Sequence, residues 1–386
     1  MAGSIRQRGK ASWQLRVHSG RDEHTGEKLY VNKTVRGGRR EAERELARLV
    51  AQVEDGVAKA RSGTVGDLCE KWFEQAVPGL SPAVAAEYRR LLDRRILPKW
   101  GSMPLRRLRT SELDGWYAHL RKSGGIGGKP LSPNSVNRVH AILRRALNQA
   151  VKWGWINSNP AAAATPPRVH RQPIEIPTAA EIGRLIEAAA VVNHGLPVFL
   201  RLAATTGARR GELCALRWRH LDLDKRQLHI AGALVQVKRE VIEKSTKTHA
   251  ERRVSLDAGT VRMLEEHRCR LEGTLRFAGA TLDSESFVFS HDPEGLAPWR
   301  PGYVTLAFVR LSRQQDLEGL RLHDLRHFAA TTMIVGGVDI RTAAGRLGHA
   351  QSSTTLDVYA QFVKSADAGA ADALGEILDG AIGPGK

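Results

Sequence analysis

The apolar positions near the N-terminus change their period, which predicts a small sheet followed by a helix. Between residues 13 and 17 they alternate with polar residues, and a second alternating stretch begins at residue 29 after a predicted turn at 24–27. A period of two is typical of a half-buried strand. Over residues 42–53 the spacing becomes helical. The apolar residues are Trp13, Leu15, Val17, Leu29 and Val31 in the strands, and Ala42, Leu46, Leu49, Val50 and Val53 in the helix.

The next segment carries helix-start signals throughout. Serine or threonine is the preferred N-cap because its oxygen accepts a hydrogen bond from the first free backbone amides, and proline is tolerated at the first helical position. The predicted N-caps are Thr64, Ser81, Thr110 and Ser132. In the fourth helix Arg138, Arg144, Arg145 and Lys152 are interleaved with an apolar stripe. We therefore expect a bundle with basic surfaces over residues 63–160.

A linker rich in proline and alanine, residues 161–177, separates this bundle from the rest of the chain. Thr178 and Glu181 then form a capping-box pattern that begins a new domain, residues 178–386. Near its end, residues 366–378 have an amphipathic pattern that predicts a tail helix. The pattern leaves open whether this tail packs on its own domain or on a neighbouring protomer.

Charge is the compositional feature that changes this picture most. The 386 residues include 59 Lys and Arg against 41 Asp and Glu, a formal net charge of +18. Residues 1–62 have a net charge of +6, residues 63–172 of +11, and residues 173–386 of only +1. Such an excess favours a polyanionic partner, because binding to phosphates releases counterions. The N-terminal half is thus expected to bind DNA, with a solvated basic surface as the alternative.

Several classes of protein are excluded by the same sequence. Neither a long apolar run nor the apolar core of a signal peptide occurs, so membrane and secreted proteins are not expected. The three cysteines are scattered and suit neither a disulfide framework nor a metal knuckle. We expect a cytoplasmic protein without cofactor or metal.

Two blocks of the C-terminal domain carry candidate chemistry. Residues 205–218 read TTGARRGELCALRW, in which Arg209 begins a helix and Glu212 follows three residues later. Such a pair is commonly a surface ion pair, or it orients the guanidinium for a ligand. The second block contains His323, Arg326, His349 and Tyr359. Guanidinium groups brace phosphate oxygens, imidazoles donate or shuttle protons, and a phenol can attack phosphorus. This set suits phosphoryl transfer without a metal.

A helical zinc site is the alternative for part of this block. His323 and His327 have the i, i+4 spacing of zinc ligands. Arg326 lies on nearly the same face and would repel a dication, and no third ligand has a suitable spacing.

The motifs TGARRGEL, HDLRH, and LGH followed ten residues later by a tyrosine resemble those of the tyrosine recombinases, specifically the phage and integrative-element integrases. The resemblance implies that Arg209 and Arg326 clamp the phosphate, that His323 and His349 support it, and that Tyr359 is the nucleophile. It also implies a catalytic lysine in a turn between strands. Lys247 is the preferred candidate and Lys244 the alternative, and Glu212 would orient Arg209.

The resemblance further implies a multidomain, mainly α protein with small β-sheets. Residues 1–62 would be an arm-type DNA-binding domain, 63–160 a helical, SAM-like core-binding domain, and 178–386 an α+β catalytic domain. The implied activity is site-specific recombination by a homotetramer on double-stranded DNA, through a 3′-phosphotyrosyl intermediate. A host DNA-bending protein and an excisionase are implied as possible partners. The alternatives are a DNA-binding regulator and a resolvase- or topoisomerase-like enzyme on the same scaffold.

Overall fold

A computed structural model describes residues 3–9, 11–21, 28–54, 63–169, 175–245, 251–348 and 374–378. The chain divides into two compact units, Met1–Arg171 and Gln172–Lys386, and the division lies within the segment predicted to be a linker. None of the helices in the described ranges is long and apolar enough to cross a membrane.

The first unit begins with an antiparallel sheet of three strands covered by one helix. The elements are β1 (Gly3–Gly9), β2 (Ser12–Arg21), β3 (Lys28–Arg36) and α1 (Arg39–Glu54), with β2 in the centre. Leu15 and Val17 of β2 are fully buried against Ala42 and Val53 of α1, which confirms the predicted sheet and helix. The sequence did not predict β1, because Ile5 is its single large apolar residue. The predicted turn at 24–27 lies outside the described residues.

The remainder of this unit is helical and has its own apolar core. Its α-helices are α2 (Val65–Ala76), α3 (Pro82–Leu91), α4 (Leu97–Trp100), α5 (Thr110–Ser123) and α6 (Pro133–Lys152). A π-helical segment, Leu92–Ile96, joins α3 to α4. The predicted N-caps Thr64, Ser81 and Ser132 each accept a backbone amide hydrogen bond from their helix.

The predicted N-cap at Thr110 is wrong. Arg109 occupies the cap position, and Thr110 is the first residue inside α5. The Thr110 hydroxyl donates instead to the carbonyl of Pro160, 2.8 Å away. The Glu112 carboxylate accepts from the Arg109 backbone amide at 3.0 Å, so the acidic residue of the first turn satisfies that amide.

The second unit combines seven α-helices and five short strands among the described residues. The elements are α7 (Ala179–Val192), α8 (Leu196–Thr206), α9 (Arg210–Cys214), β4 (Leu221–Asp222), β5 (Gln227–Ile230), β6 (Gly232–Val237), β7 (Glu240–Ser245), β8 (Arg252–Ser255), α10 (Ala258–Phe277), α11 (Pro301–Gln314), α12 (Asp324–Val335) and α13 (Ile340–Leu347). Strands β4, β5 and β8 form one antiparallel sheet, and β6 pairs with β7. The predicted fold class, mainly α with small sheets, is confirmed.

Helix α8 forms the centre of this unit. It is almost wholly buried, because nearly every residue from Leu196 to Thr206 is apolar or small. It packs against α7, α10 and α12, and it ends at Gly207 in the left-handed conformation. This arrangement places the turn that precedes Arg209 against the core.

The start of α7 confirms the predicted capping box. The Thr178 hydroxyl accepts from the Glu181 amide, and the Glu181 carboxylate accepts from the Thr178 amide at 2.7 Å. Of the predicted tail helix, residues 374–378 are described and helical, and Leu374, Ile377 and Leu378 are exposed.

Candidate active site

The structure describes four of the seven residues assigned to the site from the sequence: Arg209, Glu212, His323 and Arg326. Lys247, His349 and Tyr359 lie outside the described residues. The alternative lysine, Lys244, is on β7 opposite Ala233 of β6. Lys247 falls in the connection between β7 and β8, two residues beyond the last residue of β7.

Arg209 lies at the N-cap of α9, where Glu212 holds it at two points. The Glu212 carboxylate accepts from the Arg209 backbone amide at 2.7 Å and from Arg209 Nη1 at 2.9 Å. The Arg209 side chain is 45% exposed, whereas that of Glu212 is only 6% exposed. The pair is therefore not an ordinary surface ion pair, because a buried carboxylate fixes a guanidinium that still reaches solvent.

A second arginine, Arg252 on β8, binds the same carboxylate and was missed by the sequence analysis. Its Nη1 and Nη2 donate to the two oxygens of Glu212 at 3.1 and 2.7 Å. One signal for it exists in the sequence: in the β8 alternation, Arg252 falls on the same side as Val254, which is buried. Arg253 and Ser255, on the other side, are exposed.

The two arginines determine the charge of Glu212. Burial alone would raise the pKa of its carboxyl group. The hydrogen bonds and charge of Arg252, with those of Arg209, outweigh burial and hold the pKa below its ordinary value. Glu212 is therefore an anion shared between two cations.

The end of α13 and the turn that follows it also contact these arginines. Gly348 adopts the left-handed conformation, with φ of 68°, and its carbonyl accepts from Arg209 Nη2 at 2.9 Å. Arg252 Nε donates to the carbonyl of Arg346 at 3.0 Å. The residues immediately before His349 in the chain thus lie against Arg209 and Arg252.

Arg326 approaches the same region from α12. Only 4% of the residue is exposed, and its Nη1 donates to the carbonyl of Gly207 at 2.6 Å. Gly207 is two residues before Arg209 in the chain. The structure therefore brings both predicted phosphate-clamping arginines to one turn.

His323 occupies the N-cap position of α12, about one helical turn before Arg326. The residue is exposed, yet desolvation of the ring, together with His327 and Arg326, lowers its pKa to about 4. Arg321 acts in the same direction, and Asp324 opposes them. His323 is therefore a neutral imidazole at pH 7, able to donate one hydrogen bond and accept another.

The zinc alternative gains no support from the placement of side chains. The rings of His323 and His327 stand edge to face, with centroids 5.0 Å apart. Within the described ranges, no group of three or more His, Cys, Asp or Glu side chains is arranged to hold a metal ion. The carboxylate nearest in sequence, Asp324, is engaged by Arg321, whose Nη2 donates to it at 2.8 Å.

Comparison with known proteins gives a consistent result. The sequence matches the phage integrase family over residues 177–365 and the N-terminal SAM-like domain of phage integrases over residues 64–121. It is 24% identical to a "Tyrosine recombinase XerC-like" protein of Caldanaerobacter subterraneus, over 96% of this chain and 97% of the relative. It is 23% identical to the ICEBs1 integrase of Bacillus subtilis, over 97% of this chain and 100% of the relative.

Solved structures share the fold. The integrase of the Tn1549 transposon, in complex with a circular intermediate DNA, superposes with a TM-score of 0.65 at 18% identity, covering 77% of this chain and 95% of that one. A lambda integrase dimer bound to a core site gives a TM-score of 0.59 at 19% identity, covering 92% and 93% of the two chains. With the motifs at 205–218 and 321–362 and the arginines gathered at Gly207, these matches give one answer. The chain belongs to the phage integrase family of tyrosine recombinases, which carry out site-specific DNA recombination.

Proposed function

We propose that the chain is an integrase that cuts and rejoins DNA through a covalent bond between Tyr359 and a 3′-phosphate. The observation that carries the proposal is the approach of Arg209 and Arg326 to the turn at Gly207. Two guanidinium groups at one turn suit the two nonbridging oxygens of a phosphodiester, because each offers paired N–H donors to an oxyanion. The charge that develops on the pentavalent phosphorus is then stabilised by groups already in place.

In this mechanism the phenolate oxygen of Tyr359 attacks the scissile phosphorus, and the 5′-oxygen of the next nucleotide leaves. Lys247 donates a proton to that oxygen, which becomes a free 5′-hydroxyl. His323 and His349 hydrogen-bond the phosphate oxygens, while Glu212 holds Arg209. The 5′-hydroxyl of a second duplex then attacks the phosphotyrosine, its proton returns to Lys247, and Tyr359 leaves as the phenolate with which the cycle began. The number of phosphodiester bonds is conserved, so the cycle needs neither ATP nor a metal.

We assign the parts of the chain accordingly. Residues 1–62 bind arm sites, residues 63–160 bind the core site, residues 178–386 beyond the linker 161–177 cut and rejoin it, and four protomers assemble on two duplexes. The net charges of +6 and +11 in the first two segments support DNA binding there. A lambda integrase tetramer is known bound to a Holliday junction. A host DNA-bending protein and an excisionase complete the proposed set of partners, in the cytoplasm.

A nicked suicide substrate tests the chemistry directly. The nick lies just 3′ of the cleavage point, so the short released strand diffuses away and the covalent complex accumulates. We expect the wild type to become linked to DNA and the Tyr359→Phe variant to bind the same DNA without becoming linked. Covalent linkage that persists in Tyr359→Phe would contradict the assignment of the nucleophile. DNA binding without linkage by the wild type would favour a regulator.

Removal of residues 1–62 tests the proposed arm domain. The core of this segment is built from its own residues, so the other apolar clusters of the described chain stay intact. We expect weaker binding to distal arm sites and unchanged cleavage at the core site. Loss of core-site cleavage would contradict a separate arm-binding role. Relaxation of supercoiled DNA without strand exchange would instead favour the topoisomerase-like alternative.

A further inference from the structure

Arg252 joins three parts of the catalytic unit through a single guanidinium group. Its two terminal nitrogens donate to Glu212, and its Nε donates to the carbonyl of Arg346. Its side chain is only 10% exposed. With its fork on Glu212 and its Nε on the carbonyl of Arg346 at the end of α13, Arg252 faces the protein and is not oriented toward a DNA phosphate.

The carboxylate that Arg252 holds is also the one that orients Arg209. Each oxygen of Glu212 accepts one hydrogen bond from Arg209 and one from Arg252. Without Arg252, Arg209 alone would have to balance the negative charge of the buried Glu212 carboxylate. Arg209 would then be drawn toward Glu212, because a buried charge without a second partner pairs more strongly with the first. Its guanidinium would be less available to a phosphate.

Arg252 also fixes the turn that contacts Arg209. A Cβ atom at Gly348 would lie 2.7 Å from Arg252 Nη1, so the guanidinium and this glycine are in close contact. The Gly348 carbonyl is in turn the acceptor for Arg209 Nη2. Arg209 is therefore held from both sides by groups that Arg252 positions.

We propose that Arg252 is a positioning residue for strand cleavage, which neutralises Glu212 and anchors residues 346–348 at the end of α13, so that Arg209 points its remaining N–H groups at the scissile phosphate. This inference rests on the proposed function and deepens it. It assigns no contact between Arg252 and the DNA. Arg252 acts through Glu212 and through residues 346–348.

The first test separates cleavage from binding in the full-length chain. Arg252→Met and Arg252→Lys are compared with Arg253→Met, in which a neighbouring exposed arginine of the same strand is removed. We expect cleavage of the suicide substrate at saturating DNA to slow by about 10- to 100-fold in both Arg252 variants, the scale of a small displacement of a catalytic group. The dissociation constant for core-site DNA should stay at the value of Arg253→Met, because Arg252 does not touch DNA. Weakened binding with an unchanged cleavage rate would overturn the proposal.

The second test asks whether Arg252 acts through Glu212. The Arg252 substitutions are repeated in a Glu212→Gln background, in which the anion that Arg252 neutralises is gone. We expect the Arg252 substitutions to slow cleavage much less in the Glu212→Gln background than in the wild-type background, because residues in one hydrogen-bond network have non-additive effects. Equal slowing in both backgrounds would overturn the proposal. If Arg252→Met does not give a folded protein, as judged by circular dichroism, Arg252→Lys decides, because it keeps the charge and loses the fork.

The two failures are distinguishable. If the wild type forms no covalent complex, the proposed function is wrong. If the wild type forms the complex and Arg252→Lys cleaves at the rate of Arg253→Met, only the positioning role is wrong.

Discussion

Arg326 donates a hydrogen bond from Nη1 to the carbonyl oxygen of Gly207, across 119 residues of sequence. The contact requires the chain to turn sharply after α8, and Gly207 does so with φ of 64°. The same turn begins the approach to Arg209. Gly207 thus supplies the hydrogen-bond acceptor of Arg326 and sets the direction in which the chain continues to Arg209.

Substitution of this glycine should damage both stability and cleavage. In Gly207→Ala the new Cβ would lie 2.3 Å from Leu347 Cδ2, in a conformation that L residues rarely adopt. The left-handed conformation costs about 1 kcal/mol and the overpacking about 1–3 kcal/mol more. We expect the free energy of unfolding, measured in urea, to fall by about the sum of these, with slower cleavage because the acceptor of Arg326 is displaced.

Gly337→Ala is the matched control for this prediction. Gly337 has φ of 80°, but nothing lies within 4 Å of a Cβ built there. It should lose only the conformational contribution, about 1 kcal/mol, and retain cleavage. Equal losses at the two positions would show that the packing against Leu347 is not the source of the effect.

Glu212→Ala should destabilise the catalytic unit strongly. The substitution leaves Arg209 and Arg252 without the anion they share, and breaking a buried pair in this way costs about 3–5 kcal/mol. The sign of the pH dependence follows from the lowered pKa of Glu212. The stabilisation is present above the ordinary carboxyl pKa and is lost as the pH falls below it. The difference between wild type and variant in urea unfolding should therefore narrow in acid.

Glu243→Ala provides the comparison for Glu212. Glu243 pairs with Arg217 at 3.1 Å, but its side chain is 47% exposed. Exposed pairs contribute at most about 1 kcal/mol. A loss at Glu243 as large as that at Glu212 would contradict the importance of burial.

The sequence could predict those parts of the site that lie in short motifs. The spacing of Arg209 and Glu212 and that of His323 and Arg326 follow from helix geometry, and the structure has both pairs as expected. Arg252 could not be paired with Glu212 in this way, because 40 residues separate them. The contact of Arg209 with Gly348 spans 139 residues. Such pairs depend on how α9, β8 and α13 pack, which periodicity does not encode.

The same limit applies to the elements themselves. The alternation of apolar and polar residues in β2 predicted the N-terminal sheet. Strand β1 could not be predicted from such a pattern, because it has one large apolar side chain and is held in place by pairing with β2. Thr110 resembled an N-cap in composition, but its hydroxyl is engaged by Pro160, 50 residues away. Local chemistry predicts a helix start well, except where a tertiary partner competes for the capping group.

The identity of the catalytic lysine can be decided by chemical rescue. A DNA in which sulfur replaces the 5′-bridging oxygen at the scissile phosphate releases a thiolate, which leaves without a proton. We expect Lys247→Ala to slow cleavage of ordinary DNA by about 10²- to 10⁴-fold, the contribution of a general acid, and to recover on the sulfur-substituted DNA. Lys244→Ala should cleave both substrates alike. Rescue of Lys244→Ala and not of Lys247→Ala would reverse the assignment.

Proton uptake on DNA binding should report the environment of His323. In the free protein its pKa is about 4, lowered by desolvation and then by His327, Arg326 and Arg321, against the opposing effect of Asp324. A bound phosphate adds negative charge beside the imidazole and raises this pKa. The complex then binds more protons than the free protein, so affinity for core-site DNA should increase as the pH falls from 7 toward 5.

Calorimetry at pH 6 in two buffers of different ionisation enthalpy measures this uptake. The His323→Asn variant should take up fewer protons than the wild type, because asparagine keeps a donor and does not titrate, while His349 keeps its own contribution. His327→Asn is the control: burial lowers the pKa of His327 as well, but this ring has no assigned phosphate contact. Proton uptake that is reduced in His327→Asn and unchanged in His323→Asn would transfer the phosphate contact from His323 to His327. Uptake unchanged in both variants would show that neither imidazole meets the phosphate.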